Sequence, residues 1–127
     1  ERLVGFILIP ERQRLLAFSP EGHYRSDSDV TDAIVYVVQT AAVRSDDALI
    51  VFFTFLQEMT LPMHSHGAQW GTVVAGQIDL TIDDDTRIYR PGDSYSIPAG
   101  VMHGAKIAAG TRVIDVFEEA NRYAIRR

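Results

Sequence analysis

His64-Ser65-His66-Gly67-Ala68-Gln69 is the most informative segment of this 127-residue chain. A third histidine follows far downstream, in Pro98-Ala99-Gly100-Val101-Met102-His103. Three of the four histidines therefore lie in two short segments, and each segment is typical of the end of a β-strand. Neutral imidazole is the commonest protein ligand for a transition metal. The pattern indicates a metal site.

The spacing of these residues explains how they could meet at one point. Residues i and i+2 of a strand project to the same side, so His64 and His66 are expected to face the same interior. The proline and glycines of residues 92–100 predict tight turns, which would return His103 to the same end of the fold. Gln69 would add an amide oxygen to the three imidazoles.

Composition limits the possible chemistry and partners. The chain has no cysteine, which excludes disulfides, thiolate ligands and cysteine nucleophiles and leaves nitrogen and oxygen as metal ligands. A net charge of −5 supplies no basic field for a nucleic acid, and we expect none as a partner. No apolar run approaches the ~20 residues of a membrane-spanning helix. We therefore expect one domain that does not enter a membrane and is cytoplasmic.

From about residue 33 the chain consists of short runs rich in Val, Ile, Phe and Tyr. Turn residues separate these runs at intervals too short for crossover helices, which favours an antiparallel β-sandwich or barrel. Within residues 78–82 apolar and polar side chains alternate, as in a strand with one solvated face. The predicted strands are 34–43, 48–56, 72–75, 77–82, 87–89, 94–97 and 112–117.

The first part of the chain has a weaker pattern. Residues 4–9 predict a strand that ends at Pro10, and residues 11–18 are compatible with a short helix or a second strand. Residues 19–22 predict a turn, and residues 26–29 predict a loop.

These patterns give a domain organisation. We predict that residues 1–32 form an N-terminal extension, which packs on the barrel or on a second subunit, and that residues 33–127 form the barrel. The apolar run 4–9 would leave an exposed strand edge on a monomer, and native proteins usually cover or pair such edges. We therefore predict a homodimer.

The first histidine segment resembles a motif of the cupin superfamily, the small β-barrels that hold a metal ion in their mouth. In that family a His-x-His pair is followed by Glu, six residues and Gly. Here His64 and His66 are followed by Gln69 and then by Gly76, so Gln69 occupies the Glu position.

The second segment is similar to the second cupin motif, which runs Gly, five residues, Pro-x-Gly, two residues, His, three residues and Asn. Gly92, Pro98, Gly100 and His103 match in order and spacing, whereas Ile107 stands where the family has Asn. The resemblance covers roughly residues 48–117. It implies an all-β, RmlC-like jelly-roll barrel (a double-stranded β-helix) preceded by an N-terminal extension.

The resemblance also implies that His64, His66, Gln69 and His103 bind one divalent transition metal. The residue types do not choose among Fe, Ni, Zn, Mn and Cu. With Gln in place of Glu all four ligands are neutral, so the ion would keep its full charge and attract an anionic, oxygenated small molecule. If Gln69 only forms hydrogen bonds at the rim, the three remaining histidines resemble those of the ferrous oxygenases in the same superfamily.

Asp115 is the strongest candidate for a catalytic residue. It is the single acid in the apolar run 112–117, and strand parity places it on one face with Val113 and Phe117. If that face lines the cavity, Asp115 can act as an acid or a base; otherwise it faces solvent or pairs with Arg112. Further candidates for substrate contacts are Trp70, Tyr89, Tyr95, Met102 and Phe117.

A narrower resemblance concerns the run Val113-Ile114-Asp115-Val116-Phe117 together with the ligand set. It is similar to enzymes that ketonise unsaturated uronates, in which the aspartate is implicated in proton transfer and an arginine follows, approximated here by Arg122. This implies an isomerase or lyase, and the superfamily also includes dioxygenases. The alternative is a non-catalytic cupin that binds a small anionic or sugar ligand. A purely structural barrel would not require the three histidines.

Overall fold

The structure is a computed structural model that describes residues 2–9, 14–18, 23–26, 35–36, 38–122 and 124–126, with side chains for Val38 and residues 40–122. The described residues form strands joined by turns and contain no helix, so none of their segments is a helix that could cross a membrane. The described strands are β1 (Arg2–Ile9), β2 (Arg14–Phe18), β3 (His23–Ser26), β4 (Val35–Tyr36), β5 (Val38–Arg44), β6 (Leu49–Phe55), β7 (Met59–His64), β8 (Gln69–Ala75), β9 (Ile78–Ile82), β10 (Asp85–Tyr89), β11 (Ser94–Ile97), β12 (His103–Ile107), β13 (Arg112–Phe117) and β14 (Ala124–Arg126).

Two antiparallel sheets form the barrel. One has the strand order β10-β9-β12-β7 and the other has the order β11-β8-β13-β6-β5. In both sheets, strands that are distant in sequence are neighbours, as in a jelly roll. The all-β jelly-roll fold predicted from the sequence is confirmed.

The hydrophobic core lies between these two sheets. Strand alternation directs every second apolar residue inward, and the burial of β6 alternates accordingly along its seven residues. Leu49 and Val51 of β6 are fully buried, and Ile78 and Ile107 of the facing sheet belong to the same core cluster. Apolar side chains from both sheets therefore fill the inside of the barrel.

A third antiparallel sheet has the order β14-β1-β2-β3-β4. Its backbone register pairs Leu3 with Ile125, so β14 lies beside the first strand of the chain. Of the two alternatives for residues 11–18, the strand is confirmed over residues 14–18 by β2, and residues 11–13 lie outside the described residues. The predicted turn 19–22 and most of the predicted loop 26–29 lie outside the described residues, and the division at residue 32 stays a prediction.

Most strands predicted in the barrel were found within two or three residues of their expected ends. β7 and β12 were not among the predicted strands, although both histidine segments were expected at strand ends. The sequence of β12 contains Gly, Ala and Lys, which have low β-propensity, and pairing with β7 and β9 on either side overrides that local preference.

Candidate metal centre and its cavity

Three histidines meet at one end of the barrel. His64 is the last residue of β7, and His103 is the first residue of β12 and its partner in register. One ring nitrogen from each of His64, His66 and His103 lies within 4.8 Å of the others. The three histidines therefore form a group that could hold a metal ion.

His66 reaches this group by a different route from the one that strand alternation predicts. Strand β7 ends at His64, so His66 belongs to the loop of residues 65–68 between β7 and β8. The backbone N–H of Gly100 donates to the carbonyl oxygen of His66 at 2.8 Å, and the N–H of Glu118 donates to that of Ala68 at 3.0 Å. The carboxylate of Glu119 accepts a hydrogen bond from the N–H of Gly67. The loop is thus fixed by two distant segments.

The three imidazoles share one hydrogen-bonding pattern. The Nδ1 atom of His64 lies 2.7 Å from the carbonyl oxygen of Pro62. The Nδ1 atom of His66 lies 2.8 Å from the carbonyl oxygen of Gly67, and the Nδ1 atom of His103 lies 2.9 Å from the carbonyl oxygen of Val101. A carbonyl oxygen can only accept, so each Nδ1 carries the proton and each neutral ring presents an unprotonated Nε2. Oriented imidazoles of this kind are suited to ligate a metal.

The distance between two of the Nε2 atoms tests this fit. The Nε2 atoms of His66 and His103 lie 3.1 Å apart. With both protons on Nδ1, two lone pairs would face each other, and this contact is relieved by a cation between them. Two nitrogens that each bind one ion at ~2.1 Å can be no more than ~4.2 Å apart, and the observed distance lies within this limit. The donor atoms therefore fit a divalent transition metal.

The electrostatics keep these ligands neutral. Burial lowers the pKa of all three histidines, and it lowers that of His66 to about 4. The positive charge of Arg122 acts in the same direction on each of them, so its guanidinium lies close enough to influence the cluster. At neutral pH the Nε2 lone pairs are therefore available for a metal.

Asp115 lies in the same cavity as the histidines. Its side chain is 6% exposed, and its Oδ1 accepts a hydrogen bond of 2.6 Å from the hydroxyl of Tyr95. Burial raises the pKa of Asp115 to about 6, while hydrogen bonds from Tyr95 and Gln69 oppose the rise. Of the two orientations open from the sequence, the inward one is correct. Val113 and Phe117 line the cavity with it, and Arg112 is exposed.

Gly71 makes this contact possible. It is paired in register with Asp115 on one side and with Tyr95 on the other, so the three residues form one row across β13, β8 and β11. A Cβ atom at Gly71 would overlap with both the carboxylate and the Tyr95 ring. Sequence reasoning missed Gly71, although an isolated glycine within a strand signals a close approach of this kind.

Gln69 begins β8 and also lines the cavity. Its side chain donates a hydrogen bond to Asp115, which lowers the pKa of that carboxyl. Because the amide nitrogen is the donor, the amide oxygen remains available as a ligand atom. The role of Gln69 as a fourth metal ligand stays a prediction.

The remaining candidates for substrate contacts lie in different places. Tyr95 and Phe117 line the cavity, and the Phe117 ring packs edge-on against His66 at a centroid distance of 5.6 Å. Tyr89 packs against Tyr95 and does not line the cavity. Trp70 and Met102 are 45% and 46% exposed and lie outside the cavity wall. Substrate contacts by these five residues stay predictions.

The fold and the histidine cluster define a small β-barrel protein with a candidate metal centre at one end. The model of the Cupin domain family matches residues 52–117, which is more than half of the chain. The chain belongs to the cupin domain family. A search of the curated proteins found no match.

Solved structures agree with this family assignment. The chain is 26% identical to KdgF from Halomonas sp., with 78% of this chain and 86% of that chain covered and a TM-score of 0.60. It is 24% identical to an RmlC-like cupin from Shewanella frigidimarina, with coverage of 72% and 81% and a TM-score of 0.62. A third similar structure concerns the Mn(II) centres of Bacillus subtilis oxalate decarboxylase, at 20% identity, coverage of 66% and 26%, and a TM-score of 0.59.

Proposed function

We propose that this cupin is a metal-dependent enzyme that moves a proton on a small, oxygenated, anionic molecule. The observation that carries this proposal is the position of Asp115, a buried carboxyl in the cavity that the three histidines line. Among the described residues of the cavity wall, Asp115 is the single acid. A metal site and one acid–base group in a common pocket suit an isomerase or a lyase.

His64, His66 and His103 would hold the metal, with Gln69 as the proposed fourth ligand. The four neutral side chains suit Fe, Ni, Zn, Mn or Cu. A bound divalent ion would supply Lewis-acid polarisation of a substrate oxygen, and the superfamily resemblance adds oxygen activation as the second possible chemistry. The charge of Arg122 beside the cluster favours an anionic substrate.

Asp115 is the proposed base. Its pKa of about 6 lies close to neutrality, so the carboxylate can accept a proton from a substrate carbon and return it to another position at pH 7. The Tyr95 hydroxyl holds Oδ1 in place during this exchange. The similarity to KdgF from Halomonas sp. supports a related function. Unsaturated uronates are the specific substrates that the sequence resemblance suggests.

The experiment compares metal-loaded wild type with Asp115→Asn, which keeps the shape of the side chain and removes its basicity. Both proteins are incubated in D2O with a panel of small carboxylic acids and one unsaturated uronate, and deuterium incorporation and isomerisation are followed by NMR. We expect wild type to exchange or isomerise a member of the panel. Asp115→Asn should lose at least about 100-fold in rate, as for removal of a general base, while its metal content is unchanged.

The matched control is Asp84→Asn, which makes the same change in an exposed turn between β9 and β10. It should retain the rate of wild type. An Asp115→Asn variant that retains that rate would refute the role of Asp115. Wild-type protein that binds members of the panel without any turnover would instead support the non-catalytic alternative.

A further inference from the structure

The cavity inside the barrel extends beyond the histidines and is small. Its volume is about 70 Å³. Pockets that enclose a drug-sized ligand have volumes of about 300–1,000 Å³, so the space inside this barrel suits only a short segment of a ligand. Its size alone therefore limits what a ligand can place inside the barrel.

The strand registers show how polarity changes along this cavity. Counted from the histidine end of the barrel, the inward positions of β13 are occupied by Phe117, then Asp115, then Val113. On β12, the inward series begins with His103 and continues with two apolar residues, Ala105 and Ile107. Successive inward positions are about 6.6 Å apart along a strand. Polar groups are therefore concentrated at the histidine end.

Beyond Asp115 and Tyr95 the described cavity wall is apolar. No described side chain in that part of the wall offers a hydrogen-bond donor or acceptor to a ligand. The apolar residues that line this part of the cavity include Phe53, Phe55, Ile78, Leu80, Ile107 and Val113. A buried hydroxyl without a partner is unfavourable, whereas a buried methylene is favourable.

We propose that the part of the ligand enclosed by the barrel is a short alkyl or alkenyl chain, so that this site takes short-chain carboxylic acids. The carboxylate lies at the histidine end, and the chain extends past Asp115 toward Leu80 and Val113. The ring hydroxyls of a hexuronate would be left without hydrogen-bond partners in the apolar part of this cavity. This inference rests on the proposed function and selects among the substrates that it leaves open.

The test is calorimetric titration of metal-loaded protein with acetate, propionate, butyrate, pentanoate and galacturonate, after the metal content has been measured. Each methylene that enters the apolar part of the cavity should lower the Kd by about three- to fourfold. The Kd should fall along this series of acids, and galacturonate should bind no more tightly than acetate. A Kd that does not depend on chain length, or galacturonate binding more tightly than butyrate, would overturn the proposal.

Ala105→Val narrows the cavity from β12 and provides a matched variant. It should abolish the gain from propionate to pentanoate while leaving acetate binding unchanged. Ala41→Val makes the same substitution at an exposed position on β5 and should keep the full chain-length dependence. If the two folded variants show the same dependence of Kd on the length of the acid, the alkyl chain of the ligand does not lie in this cavity.

A metal-independent measurement separates this inference from the proposed function. Methanol, ethanol, 1-propanol and 1-butanol are titrated against metal-free protein while the methyl NMR signals of Ile78, Leu80 and Val113 are followed. Affinity that rises with chain length, with shifts confined to these methyls, supports the apolar cavity even if the protein binds no metal. Absence of such shifts in folded protein argues against the cavity as a chain-binding site, even if the metal binds.

Discussion

At the scale of single residues, the acid–base chemistry depends on the row Asp115, Gly71 and Tyr95. The missing side chain of Gly71 lets the tyrosine hydroxyl reach across β8 to the carboxylate. The hydrogen bond stabilises the ionised form of Asp115, and burial stabilises the protonated form more strongly, which leaves the pKa at about 6. Tyr95 is therefore expected to position the base and to adjust its pKa.

Tyr95→Phe tests this role through the pH profile of turnover. The base must be ionised, so activity should decline as the pH falls through about 6 in wild type. Removal of the hydroxyl removes a hydrogen bond that lowers the pKa of Asp115, so the acid limb should move to higher pH. We expect several-fold lower kcat near pH 6 and a smaller difference near pH 8. An acid limb that stays where it is in wild type would contradict the role of Tyr95.

The sequence predicted much of the site at this scale. Strand parity placed Asp115 with Val113 and Phe117, because alternation in a regular strand is a local property. The partnership of Asp115 with Tyr95 and Gln69 joins three strands and could not be read from spacing. The register between strands, which local sequence does not encode, determines it.

At the scale of elements, the metal site depends on the loop of residues 65–68. The sequence predicted that His66 would enter the site as part of a strand, but the strand stops at His64. The segment that follows β13 holds the loop in place through Glu118 and Glu119, which lie 50 and 52 residues from their partners Ala68 and Gly67. Long-range contacts of this kind are set by the tertiary fold and leave no local pattern.

Glu119→Ala tests whether this support maintains the metal site. The substitution removes the acceptor of the Gly67 N–H, so the loop should lose its fixed position and His66 should be less well oriented. Loss of an outer hydrogen bond around a metal ligand typically reduces metal affinity by about 10- to 100-fold. The measurement is competition for the metal with a chelator. Glu119→Gln, which keeps an acceptor oxygen, should retain most of the affinity.

Glu118→Ala is the control, because the structure uses only the backbone N–H of Glu118 to hold the loop and its side chain is exposed. It should bind the metal as wild type does. If Glu119→Ala also binds the metal as tightly as wild type, the loop does not need this support.

At the scale of the whole molecule, the β-rich pattern and the two spaced motifs were sufficient to predict the barrel. Turn residues and alternation define each strand locally, and the motifs add the family. The pairing of β14 with β1 was not predicted, because a strand of only three residues carries no distinct sequence pattern. The prediction for the N-terminal region therefore lacked the strand that lies beside β1.

The predicted homodimer remains to be measured. The run 4–9, which was expected to be an exposed edge, belongs to β1, and β1 lies between β14 and β2 in its sheet. The described outer face of the sheet β11-β8-β13-β6-β5 exposes apolar side chains, including Val43, Phe52, Trp70 and Val74. Apolar surface of this kind often marks a protein–protein contact. Light scattering should give about twice the chain mass of 14.2 kDa. A monomer mass that does not change with concentration would contradict the prediction.

The proposed function depends first on a metal ion held by His64, His66 and His103. This metal site is tested most directly by elemental analysis of protein purified without a nickel column. The variants His66→Ala and His103→Ala are analysed beside wild type. The control is His23→Ala, which changes the histidine outside the cluster. We predict nearly one divalent transition metal per chain in wild type and His23→Ala, and almost none in the two cluster variants. Folded wild-type protein that contains no metal and takes up none on addition of Fe, Ni, Zn, Mn or Cu would contradict this proposal.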